Sequence, residues 1–228
     1  MPSTAENRQI GGKRGADFGL SLEKEFAQRT NGRVLKNVKT DVIDSNNHGH
    51  SIKNSRKSNP RWLAKSYNCV TKTHFIFSLF YKYIKARKEE NIEEEKDACI
   101  VIANHMNDPN FSKKILLEVM TGNEPNLTYL TCYDNRTENK VEDRTGKYRS
   151  FKFSDIIDYY VKNLKWEVVL GRKYYNIIAK LPNFDKKAMS ICLGSKTRKL
   201  LLFNFDNIQL QLDYWEKCNI PMITYDKN

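Results

Sequence analysis

The chain has five cysteines and not one C-x-x-C pair among them. Cys69, Cys99, Cys132, Cys192 and Cys218 are odd in number and widely scattered. That argues against a zinc ribbon and against a disulfide framework, and it suits a reducing cytoplasm. A Gly-rich phosphate loop, a Ser-His-Asp order and a zinc-deaminase signature are all missing, and no internal repeat is visible. Long apolar runs are missing too. The opening MPSTAENRQIGGKRG has no apolar h-region and no later segment approaches a membrane span, so neither secretion nor insertion is expected. The Asn126-Leu127-Thr128 and Asn135-Arg136-Thr137 sequons then read as chance matches.

What is present is a core and a surplus of positive charge. Of the 228 residues, 39% are hydrophobic and 11% aromatic, enough to fold as one large domain or a domain with an appended lobe. Lys and Arg number 39 against 27 Asp and Glu, a net charge of +12. A surplus of that size favours a polyanionic partner, most often nucleic acid or an anionic membrane. The excess is densest over residues 1–66 and cancels over residues 67–100.

Periodicity predicts mixed elements. Residues 1–16 are polar and glycine-rich and read as a flexible basic arm. Residues 17–30 read as an amphipathic helix with Phe18, Leu20, Leu22, Phe26 and Ala27 on one arc, closed by Asn31-Gly32. Glu23 lies on that arc and Glu25 off it. Val34–Asp44 and His50–Asn54 read as extended segments around the polar turn Ser45–Gly49, and Asn54–Lys65 as a basic loop. A helix over Thr73–Lys88 follows, then an acidic run EENIEEEK and a buried strand over Asp97–Ala103. Further along, a helix capped by Ser112 ends at Gly122, and a second helix runs from Ser154 to Lys165. Strands are expected over 127–133, 147–153, 173–181, 189–193 and 199–205.

The hairpin within TDVIDSNNHGHSIKN (residues 40–54) carries the chemistry. Centred on Asn47, an antiparallel pairing sets Asp41 opposite Lys53, Val42 opposite Ile52 and Asp44 opposite His50. Alternation then puts Asp41, Ser51 and Lys53 on one face and Val42 and Ile52 on the core face. Glu23 joins the group if its helix packs on the Asp41 face. Phosphodiester hydrolysis needs a metal to neutralise the phosphate and activate water, plus a group to position that water. Carboxylates and a main-chain carbonyl suit Mg²⁺, and a lysine can hold the nucleophile. Asp41, the Ile52 carbonyl and Lys53 supply those parts. The bland alternative is a solvated cross-strand ion pair worth a few tenths of a kcal/mol.

A helix bearing a glutamate, then KTDV, then a strand reading SIK resembles the PD-(D/E)xK nuclease superfamily, and within it the type II restriction endonucleases. The resemblance covers residues 17–57. It implies a catalytic group of Asp41, Lys53, Ser51 and Glu23, with Mg²⁺ held by Asp41, Ile52 and Glu23. The Gly19-x-x-x-Glu23-x-x-Phe26 spacing is similar to the helix that supplies an extra acidic residue in several members. Two departures stand out: Val38-Lys39-Thr40 precedes Asp41, so the motif's proline is missing, and Ser51 replaces the second acidic residue.

The expected architecture is α/β: a restriction-endonuclease-like core over 17–110, a mixed sheet flanked by helices. A strand-rich half over 111–228 supplies DNA recognition and dimerisation within the same compact unit. Arg56, Lys57, Arg61 and Lys65 form a candidate phosphate-gripping loop, and Arg136, Arg144, Lys196 and Arg198 are candidates for DNA contacts. The expected function is Mg²⁺-dependent cleavage of a specific short sequence of double-stranded DNA in restriction–modification. The expected agent is a cytoplasmic homodimer, since two strands of a symmetric site call for two active sites. A structure-selective nuclease, a non-catalytic DNA-binding module with a degenerate nuclease fold, and a basic structural or RNA-associated protein are the competing readings. His48 and His50 have a spacing that could chelate a metal but read as turn residues or as phosphate contacts beside the site, and His105 reads as structural.

Overall fold

The computed structural model describes residues 17, 19–36, 39–54, 61–68, 75–134, 147–193 and 200–226. The class is α/β, with a mixed sheet and flanking helices. The chain divides into two compact units. The first takes residues 1–57, 124–153 and 221–228, and the second residues 58–123 and 154–220. A boundary near residue 110 is therefore not where the chain divides: residues 17–110 contribute to both units, and residues 124–153 and 221–228 return to the first. Among the described residues no helix is long and apolar enough to cross a membrane.

The first unit opens with helix α1 over residues 19–29. Strands β1 (Arg33–Val34), β2 (Val42–Ile43), β3 (Gly49–Asn54), β5 (Leu127–Asp134), β6 (Lys147–Lys152) and β11 (Met222–Tyr225) form its sheet in the order β1-β2-β3-β5-β6-β11. Only β3 and β5 are parallel. The stretch expected to be extended from Val34 to Asp44 is in fact two short strands that pair with each other, Arg33 with Ile43 and Val34 with Val42. Helix α1 is anchored by Leu22, Phe26 and Ala27, which form a core cluster with Val42, Ile52, Tyr133 and Tyr148. Each large apolar side chain so buried is worth about 1.5–3 kcal/mol. Leu20, expected on the same arc, is 39% exposed. Asn31 takes the left-handed conformation (φ 47°) and Gly32 N–H returns to the Ala27 carbonyl at 2.8 Å, which ends the helix.

The second unit is a five-stranded antiparallel sheet, β4 (Arg61–Asn68), β10 (Leu200–Asp206), β9 (Lys187–Leu193), β8 (Tyr175–Lys180) and β7 (Lys165–Leu170) in spatial order. Its helices are α2 (Phe75–Glu89), α3 (Ile92–Asn107), α4 (Pro109–Thr121), α5 (Phe153–Asn163) and α6 (Ile208–Lys217). The basic loop expected up to Lys65 is instead partly strand, because Trp62 is buried while Leu63 is 52% exposed, the alternation of a paired β4. Asp97–Ala103, expected as a strand, lies inside α3. Glu95, Ala98, Cys99, Ile102, Ala103 and Met106 are buried at helical spacing, Asn91 accepts from the Glu94 N–H, and Glu93, Glu94 and Glu95 sit in the first turn. Ser112 is not a cap. Asp108 caps α4 by accepting from Phe111 N–H at 2.7 Å, Pro109 follows it, and Ser112 is buried one turn in. Cys99, Cys132, Cys192 and Cys218 are free thiols.

Candidate active site

The turn between β2 and β3 is drawn together by one carboxylate. Asp44 Oδ1 accepts the main-chain N–H groups of Asn46 (2.9 Å) and His48 (2.8 Å), and Asp44 N–H donates to the His48 carbonyl at 2.9 Å. Asn47 takes the left-handed conformation at φ 65°. The turn is thereby centred on Asn46, and the register is Val42 with His50 and Ile43 with Gly49. The pairing centred on Asn47 is corrected by two positions: Asp41 is not directly opposite Lys53. A slip of two leaves side-chain parity unchanged, so the same groups still converge.

Strand β2 begins at Val42, and among the described residues no strand pairs with the stretch of β3 that runs past it on that side. The Asp41 side chain fills that place. Its Oδ2 accepts from the Ile52 N–H at 2.6 Å, the Lys53 ammonium at 3.2 Å and the Ser51 hydroxyl at 3.3 Å. Lys53 Nζ also donates to the Ile52 carbonyl at 3.0 Å. Both polar groups of the Ile52 backbone thus face this edge and are met by side chains. All three of these hydrogen bonds fall on Oδ2 and none on Oδ1. The Asp41 and Lys53 side chains are 21% and 32% exposed, so the group is open to solvent on one side.

Helix α1 packs on the Val42–Ile52 face rather than on the face of Asp41 and Ser51. Glu23 reaches the group electrostatically all the same. Burial pushes its carboxyl above the ordinary value, the Asp41 charge pushes it further, and Lys53 opposes both. Glu25 instead pairs with Arg29 one turn along.

His50 belongs to a different network. It is fully buried, its ring stacked on Tyr129 at 5.0 Å and tilted against Phe26 at 4.8 Å. Its Nε2 meets Asp44 Oδ2 at 3.3 Å and its Nδ1 meets Thr131 Oγ1 at 2.8 Å, while Thr131 meets Ser150 Oγ at 2.7 Å. Burial lowers the His50 pKa, against the pull of Asp44. Asp44 is held below the carboxylate range: burial works against it, but the His48 N–H, His50 and the Asn46 N–H outweigh it. His48 also turns to Asp44, at 3.4 Å. The two histidines are thus a turn residue and a core residue. Among the described residues no three His, Cys, Asp or Glu side chains converge to hold a metal ion. His105 rests against Phe111 in the last turn of α3.

Arg61 and Lys65 fall in β4, in the second unit. Arg56, Lys57, Arg136, Arg144, Lys196 and Arg198 lie outside the described residues. One neighbour had no sequence signal. Glu124, in the turn before β5, binds the main chain of Lys39 and Thr40 directly ahead of Asp41. No family model matches the chain, and no curated protein matches it closely enough to name a relative.

Proposed function

We propose that the protein is a Mg²⁺-dependent endonuclease with a PD-(D/E)xK core, of the type II restriction kind, that cuts double-stranded DNA at a specific short sequence as a homodimer. The observation that carries this reading is the joining of the Asp41 carboxylate, the Ile52 carbonyl and the Lys53 ammonium at one edge of β3. The net charge of +12 supports a polyanionic substrate.

The donor set suits magnesium, which takes one or two carboxylates and keeps most of its waters. An ammonium already lies between Asp41 Oδ2 and the Ile52 oxygen, so the edge favours positive charge. Asp41 Oδ1 and the Ile52 carbonyl would hold the ion, with Glu23 contributing the second negative charge. The ion would neutralise the phosphate and acidify water. Lys53, displaced toward the substrate, donates to the attacking water or to a non-bridging phosphate oxygen and stabilises the negative charge that builds there. A water oxygen bonds to phosphorus, one P–O ester bond breaks, and the departing oxygen takes up a proton. Ser51 keeps Asp41 in place through its hydroxyl and brings no charge of its own. A cation beside Glu23 would oppose the burial and the Asp41 charge that raise its pKa.

Incubation with phage DNA and Mg²⁺, beside EDTA and Lys53→Ala controls, tests the reading. Discrete bands that need Mg²⁺ and vanish in the variant are expected. Salt-sensitive binding without cleavage of any DNA would assign a DNA-binding module instead.

A further inference from the structure

The segment that carries Asp41 lies outside the regular ladder, because β1 ends at Val34 and β2 begins at Val42. Just upstream of Asp41 a side chain helps to hold it. Glu124, 84 residues away from Thr40, does so with both oxygens. Oε1 accepts the Lys39 N–H at 2.5 Å, and Oε2 accepts the Thr40 N–H at 2.8 Å and the Thr40 hydroxyl at 2.6 Å. Bonds to an ionised acceptor are about twice as strong as neutral ones. Burial works against the charge, but the Thr40 hydroxyl, the two N–H groups and Lys39 together hold the Glu124 carboxyl below its ordinary range.

The turn that presents Glu124 is itself fixed against the hairpin. Gly49 N–H donates to the Asn126 carbonyl at 2.7 Å. A Cβ on Gly49 would lie 2.3 Å from that oxygen and 2.8 Å from Thr40 Cγ2, so glycine is needed for the approach. Downstream of Thr40, the Asp41 N–H donates to the His50 carbonyl at 2.8 Å and the Asp41 carbonyl accepts from Leu35 N–H at 2.9 Å. The main chain at Asp41 is therefore gripped on both sides, and upstream the grip is a side chain.

We propose that Glu124 is a positioning residue for the candidate site: by bonding the two amides ahead of Asp41 it fixes the direction from which the Asp41 carboxylate enters the Ser51–Lys53 edge. That this placement serves cleavage rests on the nuclease reading. The placement itself does not, because the Ile52 amide reports it: its proton is bonded to Asp41 Oδ2 and exchanges faster when that carboxylate wanders.

Amide hydrogen exchange, read residue by residue in the wild-type chain and in Glu124→Ala and Glu124→Gln, is the test, with cleavage measured alongside. In Glu124→Ala the Thr40 and Ile52 amides should exchange about tenfold faster, with Leu130 in the middle of β5 unchanged. Glu124→Gln, which keeps one acceptor oxygen, should fall between, and it carries the comparison alone if the alanine variant does not fold. On DNA the alanine variant should lose about tenfold in kcat at unchanged KM. Faster exchange at Thr40 with Ile52 untouched would overturn the proposal and reduce Glu124 to a tie for the loop. If the wild-type chain cuts no DNA, the nuclease reading fails, and the Ile52 amide still decides what Glu124 does.

Discussion

Two aspartates bracket β2, and they differ in everything but composition. Asp44 is 8% exposed and saturated: two main-chain N–H groups and two imidazoles surround it, and it organises a turn. Asp41 is half-buried, with its three donors crowded on one oxygen and the other oxygen spare. A carboxylate whose bonding capacity is filled by its own chain has been used for architecture. One left with a spare oxygen beside an ammonium, partly open to solvent, is the one the nuclease proposal assigns to the metal ion.

The sharpest way to separate the two is substitution. Asp41→Asn should cost about 10³-fold in cleavage rate on DNA. Its stability, read from urea midpoints, should fall by less than about 1 kcal/mol, since the Lys53 pair is partly exposed. Asp44→Ala should do the reverse. Two amides and His50 lose their acceptor, which lowers stability by about 3 kcal/mol and the melting temperature by roughly 6–12 °C, with cleavage by the folded fraction nearly unchanged. Equal loss of activity in both variants at a temperature where both are folded would erase the distinction.

A smaller effect comes from pH. His50 has its pKa lowered in the folded chain, so below about 6.5 the unfolded chain binds more protons, and stability should fall as pH drops through that window. Asp44, also lowered, contributes stability that is present above its unfolded value and lost as pH falls further. Denaturation midpoints between pH 7.5 and 5 should decline in the wild type and more shallowly in His50→Gln. The smallest effect belongs to Glu23. Its raised pKa means that folding becomes less favourable as pH rises through its titration. Glu23→Gln should therefore melt about one degree higher at pH 7.5, by calorimetry, while cleavage falls roughly tenfold.

The Asp41 group was legible because it is local. A short polar turn, a period of two and the spacing from Asp41 to Ser51 and Lys53 bring these side chains together even under a pairing that is wrong by two, since parity survives an even slip. An odd slip would have scattered them. Helix α1 was legible through Leu22 and Phe26, but the face it covers was not, because the position of Glu23 on the arc says nothing about which side of a distant sheet receives it. DACIVIA reads equally well as a buried strand, and only the capping by Asn91 and the burial of Glu95 and Met106 around it make the helix plain. Glu124 left no trace at all. A side chain bonding main-chain amides across 84 residues has no periodicity to betray it. The second unit's interruption of the first hides in the same way, since nothing in composition marks where the chain leaves one sheet and where it returns.

That interleaving sets a timetable. Phe26 near the beginning packs edge-on against Tyr225 at 5.1 Å, and β11, which carries Tyr225, pairs with β6. On the ribosome β11 is made after every element of the second unit, and the sheet beneath Asp41 waits for it. Until then the Tyr148 edge of β6 stays bare and the aromatic cluster around Phe26 lacks a wall. Contacts so far apart in sequence form slowly, so this sheet should be the last part of the molecule to consolidate. A nascent chain would thus carry the Asp41–Lys53 edge unfinished for most of its synthesis.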